Sequence, residues 1–373
     1  MPLLESHSGP VFIGPGDAPL ITGSALHCLL AEMESSNADG VVATCVLADP
    51  RKYGRVIRND AGRVVRIVEE LDATESEKQI REVGTSFYCF KADVLRDLLP
   101  KVSNNNAKGE YYLTDLVGMI NESGGLCTAV VFDDFELLLG VNDRWQLAEV
   151  SKIMRRRILR ELALSGVTID DPDSTFIEVD VSIGENCIIR PMTVLEGKTS
   201  IGVNSEVGPS TRITDSQIGS NCLVHMSHVN RVIVGDDCRV GPFANLRPNT
   251  VIGDGVKIGN FVEVKASELR DGSSVSHLTY IGDATVGAKA NIGAGTITCN
   301  FDGFSKHRTV IGDEAFIGSN STLVAPLTIG EGAITAAGST ITKDVPSNSL
   351  AIGRSRQEIK EHWAERWRKK KKS

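Results

Sequence analysis

The stretch Val251-Ile252-Gly253-Asp254-Gly255-Val256-Lys257-Ile258-Gly259-Asn260-Phe261-Val262-Glu263-Val264-Lys265 decides the fold. Two Ile-Gly pairs stand six residues apart in it, at 252 and 258. The same step recurs from 201 to 207, from 234 to 240 and from 311 to 317. Steps of eighteen, three such units, run from 183 to 201, from 234 to 252 and from 311 to 329. Fourteen Ile-Gly or Val-Gly pairs lie between Ile183 and Gly330, too many for chance. A six-residue period is the signature of a parallel β-helix, one short strand and one turn per unit. The branched aliphatic points inward and stacks on its equivalent in the next coil, while Gly permits the tight corner. From about Val181 the chain is therefore expected to coil as a stiff prism. Three departures stand out in the repeat. Arg247-Pro248-Asn249 puts a cation on an ordinary coil, Lys265 to Thr279 is expected to stretch one coil, and Cys299 to Arg308 to insert a loop.

Working outward, 373 residues exceed what one core normally holds, so two domains are expected. Aromatics at 5% beside 36 glycines argue for tight turns rather than aromatic-filled cores. A formal charge of −8 gives no global case for nucleic-acid binding. No N-terminal apolar run has signal-peptide or membrane-span length. The eight cysteines form no CxxC pair, which leaves zinc ribbons and thioredoxin-like sites unsupported and favours reduced thiols in a cytoplasm.

The first half reads as α/β. Pro10 to Ile13, Gly40 to Leu47, Arg63 to Val68, Arg81 to Phe90 and Ala129 to Phe132 suit strands. Thr22 to Ser36, capped by Thr22 or Ser24, and Ala92 to Leu99 suit helices. The run Asn104 to Asp115 leads into another. Asp17 follows the first strand between Gly and Pro, at the sheet edge where open α/β sheets bind ligands. It suits a Mg²⁺ ligand facing a phosphate, and equally a turn or helix cap. Asn142 either completes a metal site with Asp17 or caps the long, Arg-rich and Glu-rich helix that runs to about Leu164.

In the repeat region, acyl transfer from a thioester to an amine needs a base, an oxyanion donor and two held substrates. His277 suits the base, with Glu263 to orient or polarise it, or is a loop His bonded to a carbonyl. Arg247, Lys265 and Tyr280 suit a grip on a sugar phosphate, and Asn291 a sugar hydroxyl; a solvated prism face is the plainer reading of the two cations.

These motifs match a family. Gly16-Asp17-Ala18-Pro19-Leu20, Tyr53-Gly54-Arg55, Ile67-Val68-Glu69, the Asn104 to Asp115 run and Gly140-Val141-Asn142 resemble the GlmU family of bifunctional bacterial enzymes. So do Leu246-Arg247-Pro248, Phe261-Val262-Glu263-Val264-Lys265, His277-Leu278-Thr279-Tyr280 and the run Asn291 to Asn300. The family joins an N-acetylglucosamine-1-phosphate uridyltransferase to a glucosamine-1-phosphate N-acetyltransferase. The resemblance runs from about Pro10 to Arg354. It implies an α/β, Rossmann-like nucleotidyltransferase domain over 1–145, a helical linker over 146–166, a left-handed β-helix acetyltransferase domain over 167–355 and a basic tail over 356–373. Left-handedness comes from the resemblance, since right-handed crossovers are the default. By it His277 is the catalytic base. Arg247, Lys265, Tyr280 and Asn291 contact glucosamine-1-phosphate. Ala294, Asn300, Phe301, Ser319, Ala337 and Arg354 contact acetyl-CoA, with Phe301 where the family often has Tyr. Asp17 and Asn142 hold Mg²⁺. Gly54 and Glu69, with Glu70 beside it, contact the sugar nucleotide, UTP or UDP-N-acetylglucosamine. The family's further Asn contact falls at Gly84, which has no side chain to bond with. The resemblance also implies a cytoplasmic homotrimer that makes precursors of the cell envelope, with no nucleic-acid or membrane partner.

Other readings use the same residues. A hexapeptide-repeat metal hydratase would need three His on zinc, with His225, His228 and His277 as the candidates in the coil. A non-catalytic sugar-nucleotide sensor or assembly subunit would keep the prism and lack turnover. The tail Trp363 to Ser373 is basic and carries two Trp, and reads as a solvated tail rather than a nucleic-acid or membrane anchor. The family's glycine-rich LxAGxGTRM loop does not precede Gly16-Asp17. Backbone N–H groups of such a loop cradle phosphates. The chain is thus expected not to transfer uridylyl groups. Incubating it with UTP and N-acetylglucosamine-1-phosphate checks this, and UDP-N-acetylglucosamine in the products would overturn it.

Overall fold

The computed structural model describes residues 4–371, and the chain divides into two compact units, Met1–Met154 and Arg155–Ser373. In the first unit, β1 (Pro10–Ile13), β2 (Gly40–Val46), β3 (Arg55–Arg58), β4 (Val64–Val68), β5 (Glu82–Lys91) and β6 (Cys127–Val131) form one mixed sheet. The order is β4-β3-β5-β2-β6, with β1 also paired to β5. β5 is antiparallel to β1, β2 and β3, whereas β2 and β6 are parallel. β2 is buried from Gly40 to Cys45 because both faces of the sheet are covered. Alternate residues feed separate cores: Val41 and Ala43 join Leu29 and Met33, while Val42 joins Phe90, Leu116 and Ile120. Helix α1 (Gly23–Ser36) starts where the Thr22 hydroxyl accepts the Ala25 N–H at 3.2 Å. Helices α2 (Ala92–Leu98) and α3 (Asp115–Glu122) complete the unit's helical cover. Periodicity passes over β3. Its first residue, Arg55, is fully buried, with its guanidinium bound to the Tyr53 carbonyl and 3.6 Å from Glu70.

Helix α4 (Arg144–Leu164) is capped by Asp143, whose carboxylate accepts the Gln146 N–H at 2.8 Å. Asn142 therefore does not supply the cap. Beyond it the chain winds into a left-handed β-helix of hexapeptide repeats, from Thr168–Ile169 to Leu350–Ala351. Its three parallel sheets hold eleven, ten and nine short strands. Each strand pairs with the one a full coil later, as Ile258 with Val275 and Val275 with Ile292. The aliphatics of the Ile-Gly and Val-Gly pairs fill the axis; Val207, Ile258, Ile281, Ile292 and Ile317 are all buried. Thiols serve the same inner corner as hydroxyls. Cys187, Cys222 and Cys238 donate to the carbonyls of Gly202, Gly235 and Gly253 at 3.0–3.1 Å, as Ser205 does to Gly219. All eight cysteines are free.

Two of the three expected departures have different weights. Lys265 to Thr279 does not stretch its coil: Glu263 pairs with Tyr280, seventeen residues on, the same step as Glu206 to Leu223. The stretch holds charged residues on a coil of ordinary length. The long coil is the next one, where Asn291 pairs with Phe316, twenty-five residues on. The excess is the loop 299–308, folded on itself: Asp302 accepts the N–H groups of Phe304 and Ser305 and bonds His307 at 2.7 Å. The backbone bonds and His307 hold the Asp302 carboxyl well below the usual range. Past the coil, helix α5 (Trp363–Lys370) stacks Trp363 on Trp367 at 6.2 Å. Among the described residues no helix is long and apolar enough to cross a membrane.

Coil-to-coil distance leaves no room at some glycines. A β-carbon at Gly259 would collide with the backbone carbonyl of Ser276 on the next coil. Backbone cannot swing away as a side chain can, so the coils must part. Gly259→Ala is expected to lower the melting temperature of the solenoid and the soluble yield together. Thermal unfolding followed by circular dichroism checks this.

Candidate functional site

His277 ends the strand Ser274–His277, and its Cα partner on the preceding coil is Asn260. The imidazole is exposed, and its Nδ1 lies 2.7 Å from the Asn260 amide oxygen. Glu263, expected to orient the imidazole, does something else. Its carboxylate accepts the Arg247 guanidinium at 2.7 Å and holds that guanidinium above its usual range. Repeat spacing does not single out Asn260, because its partner depends on coil length, which the sequence leaves open by a residue.

Above His277 the coils repeat the same corner. The Gly295 N–H donates to the His277 carbonyl at 3.1 Å, the Asn320 N–H to Ala294 at 2.7 Å, and the Gly338 N–H to Ser319 at 2.8 Å. Asn260, His277, Ala294, Ser319 and Ala337 thus form one column along the prism edge. Coils stack about 4.8 Å apart, so His277 to Ala337 spans about 14 Å. Small side chains leave this edge shallow above the imidazole, a track for a long, narrow ligand. Arg354 lies beside its upper end, its Cδ 3.9 Å from where a β-carbon on Gly338 would sit. Asn291 is on the same face as His277, paired with Ser274 below and Phe316 above.

A second group gathers on the adjoining face. Lys265 pairs with Gly282, and its ammonium lies 3.8 Å from Asp283. Asn300, buried, donates to Asp283 and stands 3.5 Å from the Tyr280 hydroxyl. The structure therefore brings Asn300 beside Tyr280, in the group expected to hold a sugar phosphate. Lys306, on the inserted loop, comes close enough to Lys265 that the second ammonium pushes its own below the usual lysine range. It pairs by a bridge with Phe301, which is exposed. Arg247, Lys265 and Lys306 outnumber Glu263 and Asp283, so the face carries an excess of positive charge suited to an anion. Lys306 and Asp283 escape a reading by repeats. Lys306 sits on the loop that interrupts them, and its one signal is a cation on an insertion beside a motif.

In the first unit the structure brings Gly54, Glu69 and Gly84 together. The Gly84 N–H donates to the Gly54 carbonyl at 3.0 Å, and a β-carbon on Gly54 would sit 3.4 Å from a Glu69 oxygen. Glu69 lines a cavity of about 480 Å³ with Asp72, Tyr112, Thr114 and Asp115. Burial pushes its carboxyl up, against a hydroxyl bond from Thr114. Glu70 has other work: it faces Arg55 and accepts the Lys52 N–H. Asp17 and Asn142 are both exposed, and the Val141 N–H donates to the Asp17 carbonyl at 2.8 Å, which sets the two side by side. One carboxylate and one amide oxygen fit a hard cation that keeps water and phosphate oxygens as its other ligands. Among the described residues no three His, Cys, Asp or Glu are grouped to hold a metal, so His225, His228 and His277 do not form a zinc site.

Two family models match this chain. GMPPB C-terminal domain covers residues 228–325, and bacterial transferase hexapeptide (six repeats) covers 308–343. The bifunctional protein GlmU of Heliobacterium modesticaldum is 50% identical over 348 residues, 93% of this chain and 76% of that protein. The bifunctional protein GlmU of Carboxydothermus hydrogenoformans is 50% identical over 363 residues, 97% of this chain and 81% of that protein. Among solved structures, Francisella novicida UDP-N-acetylglucosamine acyltransferase is 18% identical, with a TM-score of 0.34, covering 50% of this chain and 67% of that one.

A β-carbon at Gly282 would collide with the Tyr280 ring and hydroxyl, a side chain that can move. Gly282→Ala is expected to push the Tyr280 hydroxyl away from Asn300 and leave the coil intact. A crystal structure of the variant, with its melting temperature, checks both halves.

Proposed function

The chain belongs to the bifunctional GlmU family, and from that premise we propose how its residues divide the work. It is a transferase that moves the acetyl group of acetyl-CoA to glucosamine-1-phosphate, giving N-acetylglucosamine-1-phosphate for UDP-N-acetylglucosamine synthesis. The family's second reaction joins that product to UTP with release of diphosphate. The observation that carries our assignment of roles is the exposed His277 imidazole standing at the foot of a shallow column, with a cationic face beside it.

The sugar amine attacks the thioester carbonyl, and His277 takes the amine proton. The tetrahedral adduct collapses with loss of the C–S bond, and the imidazolium returns the proton to the departing thiolate, leaving CoA thiol and an amide. Arg247, Lys265 and Tyr280 hold the phosphate of the amino sugar, and Asn291 a hydroxyl. Acetyl-CoA lies along Ala294, Ser319 and Ala337, with Arg354 toward its phosphates. Phe301 packs on the cofactor by its ring, and Asn300 reaches the same ligand from the Tyr280 side. In the first unit Asp17 and Asn142 would hold Mg²⁺, which screens nucleotide phosphates. Gly54 and Glu69 meet the sugar nucleotide.

The active form is a homotrimer in the cytoplasm. Support for further copies comes from one prism corner, where Met192, Phe243, Phe261 and Leu278 are all exposed and Phe243 stacks on Phe261 at 5.2 Å. Support for the compartment comes from eight free cysteines.

His277→Ala is expected to abolish release of CoA thiol from acetyl-CoA with glucosamine-1-phosphate, a loss of at least about 100-fold. Light scattering should find the assembly unchanged. Near-normal turnover would remove His277 from the role of base. Thiol release that ignored the amino sugar would remove the acceptor.

A further inference from the structure

We propose that Asn260 is the positioning residue of the acetyl-transfer centre: its amide oxygen fixes the His277 ring with the proton on Nδ1, leaving the Nε2 lone pair to take the amine proton. This rests on the reading of His277 as the base. A neutral imidazole has one N–H and one lone pair, and the bond made by one nitrogen decides which is which. A carbonyl oxygen cannot donate, so the nitrogen facing it at 2.7 Å carries the hydrogen. Asn260 is itself held. Its backbone carbonyl accepts the Leu278 N–H at 3.0 Å, it pairs with His277 across the coils, and Gly259 before it lies so close to the Ser276 carbonyl that a β-carbon would not fit between them.

The choice of an amide matters chemically. A carboxylate at the same place would fix the same tautomer and also stabilise the imidazolium, raising the pH at which the base becomes free. A neutral oxygen orients the ring without that charge. Charged and titratable groups on its own coil and the two beside it include Lys257, Glu263, Lys265, Tyr280, Asp283, Lys289, Lys306 and His307. None of them bonds the imidazole; Glu263 is held by Arg247, Asp283 by Asn300 and Lys265, and His307 by Asp302.

Two substitutions and one spectrum test the assignment. Asn260→Asp should keep the geometry and move the acidic limb of kcat/KM to higher pH by about 1 unit or more. Asn260→Ala should lower kcat roughly 10- to 100-fold with the KM for acetyl-CoA nearly unchanged. A purely structural role would lower both rates with no shift of the limb. A limb unmoved in Asn260→Asp, in a variant that melts with the parent, overturns the proposal. Should that variant not fold, the ¹⁵N imidazole spectrum of the unaltered protein decides: a proton on Nδ1 of His277 supports the assignment, and one on Nε2 overturns it. Full activity in His277→Ala would instead sink the base itself. An inactive His277→Ala beside an unmoved Asn260→Asp limb would sink only the positioning role.

Discussion

The solenoid depends on one constraint: each buried aliphatic must land on its counterpart one coil away. Val224, Val240, Ile258, Val275 and Ile292 meet that demand on one face. Parallel pairing then fixes the backbone, and the backbone fixes what stands outside it. Asn260 meets His277 because Ile258 meets Val275 two residues earlier. The outer chemistry is thus set by inner packing. Apolar burial of this kind contributes about 25 cal/mol per Å² and has no direction of its own. Direction comes from the backbone N–H groups: along the column, those of Leu278, Gly295, Asn320 and Gly338 donate to the coil before, while those of Gly241, Gly253 and Gly293 donate to the coil after.

The first unit solves the opposite problem. Its sheet must bury charge near its ligand-sized cavity. Arg55 is enclosed, and its guanidinium reaches the Tyr53 carbonyl and faces Glu70. Glu69, one residue earlier, points to Thr114 and a cavity, where desolvation favours its neutral form. Two adjacent carboxylates just past the end of β4 therefore have different tasks: Glu69 meets the Thr114 hydroxyl, and Glu70 meets Arg55 and the Lys52 N–H.

Much of this was legible in the residues. The Ile-Gly and Val-Gly spacing gave the coil, since a strict period leaves one way to bury the aliphatics. Most strands of the first unit were legible too, because Val42 and Phe90 lie in apolar runs, Val41-Val42-Ala43 and Phe87-Tyr88-Cys89-Phe90. β3 was not, since a strand framed by Arg55 and Arg58 reads as polar until the partners of Arg55 are known. The partner of His277 was hidden for a geometric reason. Cross-coil neighbours depend on the residue count of a whole coil, and steps here vary from sixteen, as Leu223 to Arg239, to twenty-five, as Asn291 to Phe316. Glu263 carries the charge that attracts notice, whereas Asn260 has the position. The loop bearing Lys306 has no period to follow, so its approach to Lys265 is set by how the loop folds on itself.

The corner column makes the prism a ruler. Its tick marks, one per coil, lie about 4.8 Å apart. Asn260, His277, Ala294, Ser319 and Ala337 occupy five successive ticks. A ligand laid along this edge is measured in whole notches, since half a coil cannot be added without turning the aliphatics outward. Evolution can lengthen such a protein by a notch or decorate a notch with a loop, as at 299–308, but it cannot slide the scale. The reach of the site is therefore quantised, and a change of acyl chain or carrier would have to be met by substitution at a tick rather than by a gradual shift of the backbone.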